Sequence, residues 1–282
     1  MTIDLHTHST ASDGTVPPEQ LPHLAAAAGL TVVGLTDHDT LSGIVAAAAS
    51  AAEAGIAFVP GVEISSQLGA VEVHLLGYYV DTASRALLQE LERIRTDRNR
   101  RAIGMVERCR ALGADITTDQ VRAIAGTAPV GRPHIATALI AAGAVANVEA
   151  AFTPAWLADG GRADVAKHVV SVMDAVALVR SAGGVPILAH PRSAQRHAQV
   201  GDDALAELVA EGLAGFECDH PEHSPRERAR LRGLAAELGV LATGASDFHG
   251  DRKPVSIGEC TTAPDVLEAL QAQAQAHSHA TG

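Results

Sequence analysis

The sequence predicts an α/β fold with a parallel sheet or barrel, interrupted by a small helical insertion. Three observations predict it. Short β-branched, apolar runs alternate with alanine-rich helical stretches that close at glycine. The runs are apolar on both faces, as strands buried between helices are. The alternation then stops for a long middle stretch, where helical patterns continue without strands.

The elements follow in order. Ile3-Asp4-Leu5 is a short buried strand that runs into His6-Thr7-His8. A helix near Pro17–Ala28 comes next; the Pro17-Pro18 pair suits a first turn and Gly29 closes it. Thr31–Thr36 is the second strand and leads into Asp37-His38-Asp39. A helix over about 42–54 ends at Gly55, and Ala57–Ile64 and Val71–Tyr78 are the third and fourth strands. From Ser84 to Gly143 the pattern is helical, broken at Thr127–His134, with a second loop at Thr153–Arg162. The α/β rhythm resumes with a helix at 171–182 and the strand Val185–Ala189. A helix near 203–211, the strand Gly215–Cys218, a helix at 226–238 and the strand Leu241–Gly244 follow. A last helix runs from Pro264 to about Gln275, before a polar tail. The expected organisation is a barrel-forming domain in two parts, 1–82 and 168–282, around an insertion at 83–167.

Composition bounds the function classes. The 282 residues are 47% hydrophobic, enough to bury a sizeable core. Aromatic residues make up only 2%, which argues against broad base-stacking platforms. The formal net charge of -12 argues against a wide nucleic-acid surface, so long nucleic acid is not an expected partner. A small anionic substrate or an oligonucleotide end can still bind where metals and a few arginines reverse the local sign. The three cysteines, Cys109, Cys218 and Cys260, are far apart and odd in number, which fits a reducing cytoplasm rather than a disulfide framework. No signal-peptide or membrane-spanning pattern is seen, and no protein partner is evident.

Polar residues recur where the strands end: His6, His8, Asp13, His38, Glu63, His74, His190, Asp247 and His249. Residues i and i+2 of an extended chain share a side, so His6 and His8 can face one ion. Asp247-x-His249 repeats that spacing. Active sites of parallel α/β proteins form at this rim. Glu63 lies in a Val/Ile run, where a carboxylate is costly without a cation. Taken singly, His74 reads as a core histidine and His190-Pro191 as a turn; the set is what is specific. Six histidines and three carboxylates suit two or three divalent ions, with Zn, Mn or Fe favoured over Ca or Mg. No cysteine joins them, so a closed structural zinc site is not expected.

At this point a family resemblance carries the reading further. His6-x-His8-x4-Asp13-Gly14, Thr36-Asp37-His38-Asp39, Pro60-Gly61-Val62-Glu63, His74-x2-Gly77, Ala189-His190-Pro191 and Gly244-Ala245-Ser246-Asp247-x-His249-Gly250 resemble the polymerase and histidinol phosphatase (PHP) superfamily. The motifs stand in the family's order over nearly the whole chain. Gly131-Arg132-Pro133-His134 is similar to the branch of nucleoside 3′,5′-bisphosphate phosphatases and 5′-to-3′ exoribonucleases acting on short RNA. The resemblance implies a distorted seven-stranded β/α barrel with the helical insertion over its mouth. It also implies three metal sites: His6, His8, Glu63 and Asp247; Glu63 as a bridge to His74 and His190; and Asp13, His38 and His249. Manganese is the family's usual ion, with zinc and iron as alternatives.

Within that resemblance, Glu63 and Asp247 would hold the catalytic ions. Arg132 and His134 are candidates for a substrate phosphate, since a guanidinium binds phosphate bidentately. Lys167 is a third candidate, although Gly160-Gly161-Arg162 lacks the proline of the family's loop and the tyrosine that follows it. His220 and His223 follow a strand and could reach the mouth; of the two, His223 is the candidate substrate contact or general acid. The implied activity is phosphate release from nucleoside 3′,5′-bisphosphates, adenosine 3′,5′-bisphosphate giving AMP, with trimming of short 5′-phosphorylated RNA as the neighbouring one. Histidinol phosphate phosphatase, or another small phosphomonoesterase, is the enzymatic alternative; the insertion argues against it. A metal-binding accessory domain is the non-enzymatic alternative, against which the full ligand set stands.

Overall fold

Seven strands form one sheet, and their order in the sheet is their order in the chain. They are β1 (Ile3–Asp4), β2 (Val32–Leu35), β3 (Ala57–Leu68), β4 (Val71–Tyr78), β5 (Val185–Leu188), β6 (Gly215–Asp219) and β7 (Leu241–Gly244). The structure is a computed structural model and describes residues 1–126, 130–193 and 199–281. The first three residues of the expected break at Thr127–His134 therefore lie outside the described residues.

The sheet curls towards closure. Beyond the strand ends, Thr7 and Phe248 form a parallel bridge, with the His8 N–H donating to the Phe248 carbonyl at 2.8 Å. The edges of β1 and β7 thus meet, giving a nearly closed seven-stranded barrel. β1 and β2 approach so closely that a Cβ on Gly34 would lie 2.3 Å from the Leu5 carbonyl oxygen. Only glycine fits at that position.

The all-parallel expectation needs one correction. β4 runs antiparallel to both β3 and β5, while the other neighbouring pairs are parallel. β3 and β4 form a long hairpin closed by Gly69-Ala70, with Leu68 opposite Val71. Gly69 has φ 59°, the positive value a tight hairpin loop asks for. Parallel strands need a crossover of a dozen residues or more, and this connection has no room for one.

The chain divides into two compact units, Met1–Leu91 with Val170–Gly282, and Glu92–Val169. In the first, α1 (Leu21–Ala27), α2 (Ile44–Ala54), α7 (Val172–Ser181), α8 (Asp202–Ala210), α9 (Pro225–Leu238) and α10 (Pro264–Thr281) accompany the strands. α1 starts later than the Pro17-Pro18 pair suggests. The Pro17 carbonyl first accepts from Gln20 and Leu21 in a turn, and Pro22 then occupies the first helical turn. α10 continues beyond the expected end into what reads as a tail. Its Leu267, Leu270 and Ala274 pack under the barrel with Ile3, Tyr78 and Ile187, and His277 Nδ1–H donates to the Gly184 carbonyl at 2.9 Å. Each fully buried aliphatic side chain contributes roughly 1.5–3 kcal/mol, so a core mainly of Leu, Ile and Val suffices with few aromatics, Tyr78 and Phe216 among them.

The second unit has its own core. α3 (Arg85–Ala111) enters it and is followed by α4 (Thr118–Ala125), α5 (Arg132–Ala141) and α6 (Val148–Ala151). Met105, Val106, Ile116, Val121, Ile135 and Leu139 are buried together. Thr117 and Gln120 close a reciprocal capping box on α4, and the Asn147 side chain caps α6. Arg101 pairs with Asp164 at 2.9 Å and donates to the Val165 carbonyl at 2.7 Å, which pins the loop before the chain returns to the barrel.

Candidate metal centre

His6 and His8 leave β1 on one side, as the two-residue period requires, and their Nε2 atoms lie 3.0 Å apart. Glu63 Oε2 stands 3.3 Å from the first and 3.2 Å from the second. Asp247 Oδ1 stands 3.4 Å and 3.2 Å from the same two nitrogens. A tetrahedron with edges of this length has its corners about 2 Å from its centre, the length of a metal–imidazole or metal–carboxylate bond. Glu63 Oε2 is buried among the His6, His8 and His38 nitrogens at 3.0–3.3 Å, none of which makes a well-aligned hydrogen bond to it. A cation at the centre would satisfy it.

Two further groups share members with the first. Glu63 Oε1 contacts His74 Nδ1 at 2.7 Å and His190 Nε2 at 3.1 Å. Asp13 approaches His8 Nδ1 at 3.5 Å, His38 Nε2 at 3.8 Å and His249 Nε2 at 3.4 Å. All nine residues expected as ligands therefore lie in one cluster. His8 faces two groups through its two nitrogens. A neutral imidazole has one lone pair, so Nε2 in the first group leaves Nδ1–H to donate towards Asp13. His74 and Glu63 differ from the strand-end picture. They sit within the β3–β4 hairpin and reach the cluster from its face, diagonally across the ladder.

The acids that flank these positions shape the loops. Asp37 accepts from the Ser9 N–H at 2.8 Å and from the Ser9 and Ser12 hydroxyls at 2.6 Å, folding the loop that brings Asp13 back. Asp39 accepts from the Ser65 N–H at 2.8 Å and has φ 54°. His190 and Asp247 also have positive φ, 29° and 55°. Non-glycine residues rarely hold such values unless the surroundings impose them, and these three lie at the candidate centre, Tyr79 at φ 56° being the other described case.

The electrostatics match buried carboxylates surrounded by cations. Burial pushes the Glu63 carboxyl up, but His38, His74 and His6 hold it well below the usual range. Asp247 is likewise held well below it by His6, His220, His8 and Lys253 against burial. Burial pushes the His8 imidazole down, yet Asp247, Glu63 and Asp13 raise it to about 9. The neighbouring carboxylates hold the His6 imidazole up as well, so protons on His6 and His8 balance those carboxylates here. A divalent cation would do the same while displacing them.

The first unit holds three further residues of note: Glu217 and Lys253, which sequence reasoning passed over, and His220, which it set behind His223. Glu217 is fully buried and contacts His6 Nδ1 at 3.1 Å. His220 is buried beside Asp247 Oδ2 at 3.5 Å. Its Nδ1 accepts from the Glu222 N–H at 3.1 Å, so Nε2 carries the proton. Lys253 pairs with Asp247 Oδ2. It lines a cleft of about 200 Å³ with His38, Glu63, His74, His190, Ser193, Glu222 and Asp247. The buried-carboxylate argument used for Glu63 would have found Glu217. Lys253 carries no such signal.

His223 is a correction. Its Nδ1–H donates to the Cys218 carbonyl at 3.0 Å and its Nε2 accepts from the Arg192 N–H at 3.1 Å. Both nitrogens are committed to backbone and burial pushes its pKa down, so it serves as a loop staple rather than a general acid. Arg132, His134 and Lys167 belong to the second unit. Arg132 pairs with Asp159 at 2.6 Å and its guanidinium lies 5.9 Å over the Phe152 ring. His134 Nδ1 accepts from the Gly131 N–H at 3.0 Å at the start of α5. Among the described residues no helix is long and apolar enough to cross a membrane.

Known proteins share this architecture. The PHP domain model matches residues 4–113. A 3′,5′-nucleoside bisphosphate phosphatase of Chromobacterium violaceum is 34% identical over 258 residues, covering 88% of this chain and 87% of that protein. A 5′-3′ exoribonuclease of Haemophilus influenzae is 32% identical, covering 87% of this chain and 89% of the relative. A solved structure of a candidate metal-dependent phosphoesterase from Bifidobacterium adolescentis superposes with a TM-score of 0.81 at 34% identity, covering 96% of both chains. With ligand-type residues gathered at one end of a nearly closed seven-stranded barrel, and relatives matching over most of its length, the chain belongs to the PHP domain family and is a metal-dependent phosphoesterase.

Proposed function

We propose that the protein releases phosphate from nucleoside 3′,5′-bisphosphates, converting adenosine 3′,5′-bisphosphate to AMP. One observation carries the metal part of this reading: Glu63 divides its two oxygens between neighbouring ligand groups, Oε2 with His6 and His8, Oε1 with His74 and His190. In this reading His6, His8, Glu63 and Asp247 hold one ion. Glu63, His74 and His190 hold a second, and Asp13, His38 and His249 a third. The donor set of imidazoles and carboxylates suits manganese, zinc or iron. Bound there, such ions lower the pKa of water and polarise phosphoryl oxygens.

The remaining steps belong to the chain's own residues. Lys253, in the cleft wall, is placed to leave Asp247 for an equatorial phosphoryl oxygen once that carboxylate is neutralised otherwise. His220 turns an N–H towards the same carboxylate and takes over the donor role first assigned to His223. Arg132, His134 and Lys167 remain candidates for the second, non-reacting phosphate. Arg132 would exchange Asp159 for it, one anion for another.

The 34% identity to the Chromobacterium violaceum phosphatase supports the bisphosphate as substrate. The 32% identity to the Haemophilus influenzae exoribonuclease supports a second reading, the trimming of short 5′-phosphorylated RNA. A panel of adenosine 3′,5′-bisphosphate, histidinol phosphate and 5′-phosphorylated RNA oligomers, each with manganese, zinc and iron, tests both. The expected result is fastest phosphate release from the bisphosphate. No release from it with any of the three metals would overturn the proposal.

A further inference from the structure

Glu217 belongs to none of the three ligand groups, yet its side chain is wholly buried on β6 and both its oxygens are used. Oε1 accepts from His6 Nδ1 at 3.1 Å, and Oε2 accepts from the backbone N–H of His190 at 2.8 Å. These partners follow different strands, β1 and β5, and belong to different ligand groups.

A carboxylate has no proton to give, so the hydrogen in the first contact belongs to His6. A proton held at Nδ1 makes Nε2 the atom able to coordinate. That nitrogen is the one facing His8 Nε2, Glu63 Oε2 and Asp247 Oδ1. The second contact acts on the backbone. His190 holds φ 29°, a value that side-chain-bearing residues seldom keep unaided, and Glu217 takes the N–H of that same residue. One side chain thus sets the coordinating atom of a ligand after β1 and anchors the backbone beneath a ligand after β5.

We propose that Glu217 is a positioning residue that pre-organises two candidate metal sites at once, without itself being a ligand. The proposal rests on the reading of His6 and His190 as ligands. An amide in its place offers one acceptor and one donor to two N–H groups. Glu217→Gln therefore loses either the His6 or the His190 contact while keeping the shape of the side chain.

The test strips the parent protein and Glu217→Gln of metal and titrates each with manganese(II), alongside circular dichroism and thermal melting. The variant is expected to keep the parent's fold and to bind manganese about 10–100-fold more weakly. Glu217→Asp, which keeps the charge on a shorter arm, is expected to recover part of the loss. Equal manganese affinity and stoichiometry in parent and Glu217→Gln would overturn the proposal. A second measurement does not depend on the variant folding. Nitrogen NMR of the zinc-loaded parent should show His6 protonated at Nδ1 and coordinated through Nε2; the reverse arrangement would overturn the proposal. A parent that binds no ion would instead overturn the ligand reading beneath it.

Discussion

His38 and Glu63 form an isolated parallel bridge just beyond the end of β2, and their side chains meet with His38 Nδ1 3.0 Å from Glu63 Oε2. The Glu63 N–H donates to the Asp37 carbonyl at 3.2 Å, and the Asp39 N–H donates to the Glu63 carbonyl at 2.9 Å. The backbone holds this pair, so the carboxylate can be removed without removing its scaffold. Glu63→Ala should keep the parent's circular dichroism, lose bound metal, and lower phosphate release by about 10³-fold or more. Turnover near the parent's would refute the bridging assignment.

Arg132 answers to two anions in the proposed reading, Asp159 in this structure and a substrate phosphate in the complex. A charge-assisted contact to phosphate is worth about 1.5–3 kcal/mol, or roughly 10–150-fold. Arg132→Ala should raise KM for adenosine 3′,5′-bisphosphate by about that factor and leave KM for a simple monophosphate within about twofold. Equal changes on the two substrates would show that Arg132 does not hold the second phosphate.

Lys253 gives a prediction that separates binding of metal from binding of phosphate. Burial pushes its ammonium pKa down, but Asp247 more than compensates and keeps it charged. Lys253→Met should lower kcat by about 10²-fold with metal content at the parent's level, and Lys253→Arg should restore part of the rate. Metal loss in the methionine variant would assign Lys253 to holding Asp247 instead.

The cysteines bear on stability rather than chemistry. All three are buried, and burial pushes the thiols of Cys109 and Cys218 up to about 11 and about 12. A thiol-specific reagent at pH 8 should find no fast-reacting group in the native protein and three after unfolding in guanidinium. An unfolded thiol ionises near pH 8.5, well below these folded values. The folded state therefore holds protons that the unfolded state has released. This contribution is complete below about pH 8 and is lost as pH rises through the alkaline range, so the melting temperature should fall there. Fast labelling of the native protein would contradict the burial.

Much of the candidate site was legible because several of its ligand-type residues sit in short motifs with the two-residue spacing of a strand. His6-x-His8 and Asp247-x-His249 needed no knowledge of the fold to be paired. The direction of β4 was also within reach, since the residues between Ile64 and Val71 are too few for a crossover helix. The supporting layer was harder to read. Glu217 sits in Gly-Phe-Glu-Cys, where the cost of burying a carboxylate is the only clue. Lys253 and His220 stand in polar turns, where a charged residue is ordinary. His223 looked functional because a histidine after a strand often is, and only the two backbone contacts of its ring show otherwise.

The bridge between Thr7 and Phe248 has a consequence for how the protein is made. A chain emerging from the ribosome presents His6 and His8 well before Asp247 and His249. Until β7 has docked beside β1, these two histidines lack the Asp247 carboxylate that they face in the fold. Hydrolytic competence therefore waits for β7, and chains that stop short of it should be inert.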